Sequence, residues 1–290
     1  MFDIPLAAFL TQVTLGIING SLYALMSLGL AIIFGLLRVV NFAHGAQYML
    51  GAFVAWGLLE FLGVGFWFAL LLAPLVVAGF GIVLERLMLR RLYAVDHVYA
   101  LLLTLGISLI MEGAFRLKFG ASGQPYPNPI AGGLDISVAY FPWYRLFVIA
   151  ASLAVCLATW YTIERTKLGS YLRAAQENPS LVRTFGINVP RLLMLTYGLG
   201  VGLAGMSGVM AAPIYQVSPL MGVNLMIVVF AVVVIGGMGS IIGSIVAGFG
   251  LGVLEGLTKV FYPDAVGIVI FLAMIVVLAV KPNGLFGSIE

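Results

Sequence analysis

Charge is what this chain has least of. Of 290 residues, 9% are Asp, Glu, Lys or Arg and 62% are hydrophobic, whereas a soluble domain carries roughly 25% charged residues. A water-facing surface cannot be built from so few charges, which leaves lipid as the solvent. Cysteine is almost absent: Cys156 is alone and sits in an apolar run, so no intramolecular disulfide can form. Histidine is limited to His44 and His97, far apart in sequence, and no carboxylate or histidine cluster has metal-ligand spacing. The sequence has no Gly-x-Ser-x-Gly elbow, no His-Glu-x-x-His and no GxxxxGK[ST] loop. These absences argue against an enzyme, a resident metal or a cofactor, and any ATP-driven cycle must take its ATPase from another chain. The net charge of +3 is too small to imply nucleic acid; its simpler use is to set orientation in a membrane.

Long uncharged runs fill the space that charge leaves. None of the 34 residues between Asp3 and Arg38 is charged. As a helix they would measure ~51 Å, against a hydrocarbon core of ~30 Å. That run therefore tilts, breaks or is buried in protein, and Asn19-Gly20 and Gly35 are its candidate breaks. With Asp3 and no Lys or Arg ahead of it, the run is unlike a signal peptide and reads as a retained span. Spans are expected near 9–36, 39–59, 66–84, 97–115, 143–163 and 191–212, then an apolar run over 222–258 interrupted at 236–240, and a last span over 265–280. With residues 164–191 in the cytoplasm, ten of the 14 Lys and Arg residues fall inside and four outside, the four being Arg116, Lys118, Arg145 and Lys259. This topology has nine spans; if 222–258 is one bent or re-entrant unit, the count is eight. The fold class expected is all-α: one polytopic transmembrane bundle of about eight to nine spans over 1–290, with a short cytoplasmic loop.

The polar interruptions carry the functional candidates. In 164–191, Leu168-Gly169-Ser170 offers one helix start, leading through Arg173, Ala174 and Glu177. Asn178-Pro179-Ser180 offers a second, with Ser180 as its cap, and Gly186 suits a left-handed C-terminal position. Two short amphipathic helices there would dock a soluble partner; a solvated loop near anionic headgroups fits the same residues. Asn41, His44 and Gly45 interrupt apolar sequence. They read either as a pathway-lining group at a helix break or as interhelical hydrogen bonding. Gly236-Gly237-Met238-Gly239-Ser240 is too glycine-rich for a helix interior. Gly236, Gly237, Gly239 and Ser240 therefore either line a wet cavity or form a tight turn between spans. Glu112 with Arg116, and Glu255 with Lys259, are spaced as i,i+4 pairs near outer helix ends, where local neutralisation is the ordinary role.

Four stretches together resemble one family. They are Asn19–Leu25 with Phe34–Gly45, Leu168–Pro179 with Gly186-Ile187-Asn188, Ala204–Val209, and Val234–Gly243. In this order and over almost the whole chain they resemble permeases of the branched-chain amino-acid ABC transporter family, the LivH type. The resemblance implies an importer subunit in a bacterial inner membrane, working by alternating access. Its implied partners are a second, LivM-like permease, two cytosolic ATP-binding subunits and a periplasmic solute-binding protein. It implies that the ATPases dock around Arg173, Ala174, Glu177, Pro179 and Gly186, and it favours a pathway role for Asn41–His44. Two departures stand out: Ala46-Gln47 replaces the acidic residue many members carry after His-Gly, and the loop lacks the spacing of the EAA signature of other importer permeases. Relatives of the family also carry urea, short amides or aromatic acids. The rivals from other classes are an ion-gradient-driven transporter, which needs cavity-facing acids such as Glu112 or Glu255, and a membrane enzyme, which needs a catalytic cluster.

Overall fold

The computed structural model describes residues 5–37, 39–93, 95–135 and 139–287; Asp3 and Arg38, both used in the span and charge reading, lie outside them. The chain forms α1 (Leu6–Leu37), α2 (His44–Leu62), α3 (Phe66–Leu87), α4 (His97–Phe119) and α5 (Trp143–Arg165). Then come α6 (Lys167–Glu177), α7 (Pro179–Thr184), α8 (Val189–Ala211), α9 (Met221–Gly236), α10 (Ile241–Phe261) and α11 (Val266–Val280). A small antiparallel hairpin, β1 (Gly133–Asp135) with β2 (Tyr140–Pro142), sits in the loop between α4 and α5. Among the described residues, eight helical segments are long and apolar enough to cross a membrane, and α9 is a shorter apolar helix of 16 residues. The chain is an all-α, multi-pass membrane bundle.

The bundle has two distinguishable ends. One, the loop end, holds α6 and α7: the Gln176 amide of α6 donates to Gly35 O near the end of α1. The turn after α9 packs there too, Gly239 lying against Gly35. The hairpin end holds β1, β2 and the bridge between Gln124 and Val217. Helices alternate between these ends, so Arg86, Arg90, Arg91, the loop cations and Lys281 collect at the loop end. Arg116, Lys118, Arg145 and Lys259 collect at the other.

α1 is the axis of the bundle. It is one unbroken helix of 32 residues, ~48 Å long, so neither Asn19-Gly20 nor Gly35 breaks it. Gly20 serves close approach instead. α10 runs antiparallel along α1, with Gly16 and Gly20 against Gly248, Gly252 and Gly256, backbone to backbone. Small residues let helices pack this tightly where lipid offers no hydrophobic drive. α8 is similarly buried between α1, α2 and α3, while α11 is almost wholly exposed on the flank.

Two helices start inside the bundle rather than at its ends. His44, the first residue of α2, binds Met26 O through Nε2 at 2.9 Å; Met26 lies ~16 Å from the end of α1. Gly222, in the first turn of α9, lies ~21 Å from that helix's end and touches Gly45. The irregular backbone at membrane depth is therefore 39–43, and 212–220 leads down to Gly222 from the hairpin end, whereas 236–240 lies at the loop end. Gly237 and Gly239, at φ 104° and 88°, form a turn at the loop end.

The close packing of α10 on α1 predicts a contrast. A Cβ at Gly252 would collide with Gly20 Cα, whereas one at Gly250 meets nothing within 4 Å. Gly252→Ala should destabilise the detergent-solubilised protein by about 1–3 kcal/mol through overpacking. Gly250→Ala should be neutral or stabilising by up to about 1 kcal/mol. Thermal unfolding of both variants checks the pair, and equal midpoints would contradict the packing.

Candidate functional site

Asn41 is fully buried and organises the entry into α2. Its Oδ1 accepts from Ala43 N at 3.1 Å, its Nδ2 donates to Gln47 Oε1 at 2.9 Å, and its carbonyl accepts from His44 N at 3.2 Å. Gln47 Nε2 in turn reaches Tyr197 OH at 3.5 Å. Thr104 of α4 supports the same stretch, its Oγ1 accepting from Phe42 N at 3.1 Å while its hydroxyl donates to Leu101 O at 3.0 Å. Non-helical backbone survives at membrane depth only when its groups are satisfied in this way. Gln47 is thus a neutral link between two helices.

The structure separates the two groups of pathway candidates. Asn41, His44 and Gly45 lie at the start of α2, deep in the bundle, whereas Gly236, Gly237, Gly239 and Ser240 lie at the loop end. There Leu285 N and Phe286 N donate to Ile235 O and Gly236 O, satisfying the end of α9. Ser240 Oγ accepts from Gly243 N at 3.1 Å and caps α10.

The loop candidates also divide. α6 and α7 are the two expected short helices, but Asn178, not Ser180, caps α7, its Oδ1 accepting from Leu181 N at 3.0 Å. Pro179 takes the first helical position, where its missing N–H costs nothing, and Gly186 adopts the expected left-handed conformation at φ 79°. Ala174 and Glu177 line an outward groove of about 390 Å³ with Tyr171, Leu181 and Phe185. Arg173 faces the bundle instead, 3.4 Å from Glu164 Oε2, beside a second cavity bordered by Gly35, Gln176 and Ser240.

Sequence spacing missed the polar hub at Glu255. The pairing with Lys259 is made, at 2.6 Å, yet Glu255 is only 7% exposed. Its carboxylate also accepts from Tyr23 OH at 2.8 Å and Asn19 Nδ2 at 3.3 Å, and Tyr215 OH donates to Asn19 Oδ1 at 2.6 Å. The signal available in sequence was the run of Asn19, Tyr23 and Ser27 at four-residue spacing on one helix. Glu112, by contrast, makes no ion pair with Arg116 among the described residues.

A family model described as "Branched-chain amino acid transport system / permease component" matches residues 12–278. The chain belongs to this permease family. The branched-chain amino-acid permease BraD of Pseudomonas aeruginosa is 29% identical over 97% of each chain. LivH of Escherichia coli K12 is 29% identical over 97% of this chain and 96% of LivH. LivM of Salmonella typhimurium is 28% identical over 76% of this chain and 57% of LivM.

In this permease the Asn41 network holds α2's start in place. Asn41→Ala would strip partners from the Ala43 N–H and the Gln47 amide, and each orphaned buried group costs about 1–3 kcal/mol. The variant should unfold at a clearly lower temperature in detergent; a midpoint equal to the native one would show that the network does not support the fold.

Proposed function

We propose that this chain is the membrane-spanning permease of an ATP-binding-cassette importer, carrying leucine, isoleucine and valine across a bacterial inner membrane by alternating access. It acts as one permease domain over 1–290. Its partners are a LivM-like second permease, two cytosolic ATP-binding subunits that hydrolyse the ATP, and a periplasmic solute-binding protein. The observation that carries the reading is the groove on α6 and α7 in a chain of this family. Tyr171, Leu181 and Phe185 expose apolar area there, Phe185 to 75%, and Glu177 with Asn178 supplies a polar rim. An apolar centre with a polar rim is the anatomy of a protein–protein contact. The cations gathered at this end favour a cytosolic position.

Arg173 and Gln176 sit on the opposite side of α6, against the bundle. Force applied at the groove therefore has a route into α1 through Gly35. The ion-gradient rival needs a titratable acid open to a cavity. Glu255 is closed in by Lys259, Tyr23 and Asn19, and Glu112 has another use, developed below.

Vesicles carrying the whole complex test the reading. Leucine uptake should require ATP and ignore an uncoupler; the reverse pattern would refute the importer. Phe185→Asp should lower ATPase co-purification on the order of tenfold, a change of ~1.4 kcal/mol. Arg173→Ala should retain the ATPase but lose solute-stimulated uptake. Wild-type behaviour of both variants would remove the docking role.

A further inference from the structure

Neither the docking loop nor the Asn41 network uses a cavity of about 300 Å³ on the flank of the bundle. Gly45 of α2 and Gly222 of α9 border it, with Ser108 and Glu112 of α4 and the apolar side chains of Met226 and Phe230. Both α2 and α9 begin here without a side-chain cap. The N–H groups of Gly45, Gly222 and Val223, all bordering the cavity, have no hydrogen-bond partner among the described residues. A helix start presents such unpaired donors together with roughly half a positive charge; here two starts meet, with Gly45 and Gly222 in backbone contact.

A second, independent observation comes from α4. Ser108 is 9% exposed, and its hydroxyl has no partner among the described residues. Glu112 stands one turn further along the same wall, without an ion pair among the described residues. An ionisable group at membrane depth is costly and marks a solute path more often than a structural one. Open donors on one side, a lone carboxylate on another and an apolar wall between them describe the complement of one chemical class.

We infer that this cavity binds the solute within the membrane as a zwitterionic α-amino acid with an apolar side chain. The carboxylate lies against the N–H groups that open α2 and α9. The ammonium donates to the Glu112 carboxylate and the Ser108 hydroxyl, and the aliphatic body packs on Met226 and Phe230. The inference rests on the importer reading and specifies its substrate recognition. A neutral solute such as urea satisfies neither charged wall.

The test uses the complete complex with its ATPases and loaded binding protein. Ser108→Cys in a Cys156→Ala background places the chain's sole thiol on the cavity wall. Leucine under turnover should slow its labelling by a thiol reagent several-fold, and adding Glu112→Gln should abolish that protection. Glu112→Gln alone should cut leucine uptake on the order of tenfold, with Glu112→Asp recovering part of it. Labelling indifferent to leucine, or full uptake by Glu112→Gln, would overturn the site while leaving the importer intact. A wild-type complex that imports no leucine would overturn the importer reading itself, and the two failures are thereby told apart.

Discussion

A backbone N–H or C=O left without a partner in hydrocarbon costs several kcal/mol, and that constraint dictates where this chain is able to leave the helical state. It does so in two places. At depth, the N–H groups of Phe42 and Ala43 are satisfied by Thr104 Oγ1 and Asn41 Oδ1. Residues 212–220 fold back through turns onto Ala211 and Ser218, and Val217 exchanges both backbone bonds with Gln124 of the hairpin-end loop. Unpaired donors remain among the described residues at the starts of α2 and α9, where the two irregular stretches deliver their helices to each other. Irregularity, satisfaction and the inferred site are consequences of one rule.

Close helix packing makes that arrangement possible. α1 touches α10 and α8 through backbone atoms at Gly16, Gly20 and Gly29, which draws the core of the bundle tight around a single long helix. His44 docks on Met26 O within this core, and Ser207 Oγ and Ser27 Oγ donate to Leu22 O and Ser244 O across the same contacts. Side-chain hydrogen bonds between helices are modest individually, and here they lie where small residues have already brought the backbones together. α3, α4, α5 and α11 present apolar faces outward.

Much of the architecture was legible in the residues. Uncharged runs bounded by charge located the spans to within a few positions, and Gly186 and the Asn178-Pro179 pair marked the ends of α7 because turn and cap chemistry is local. The depth at which α2 and α9 begin was not legible. Asn41 and His44 marked an interruption in the sequence, but only contact with α1 and α9 shows that α2 starts partway through the bundle. Of the two readings of Gly236–Ser240, the tight turn between spans is the one the structure forms. Glu112 and Glu255 each have a basic residue at i+4, yet Glu255 became a closed hub and Glu112 did not, because Tyr23 and Asn19 come from a helix 232 and 236 residues distant in sequence.

The tail beyond α11 adds a mechanical consequence. By donating from Leu285 and Phe286 to the final carbonyls of α9, it splices the chain's last stretch onto a helix laid down some 50 residues earlier. α9, α10 and α11 are thereby strapped into one lever with a backbone buckle. A nudge at the buckle reaches Gly222 along a single stiff rod, with no relay of side chains needed to carry it.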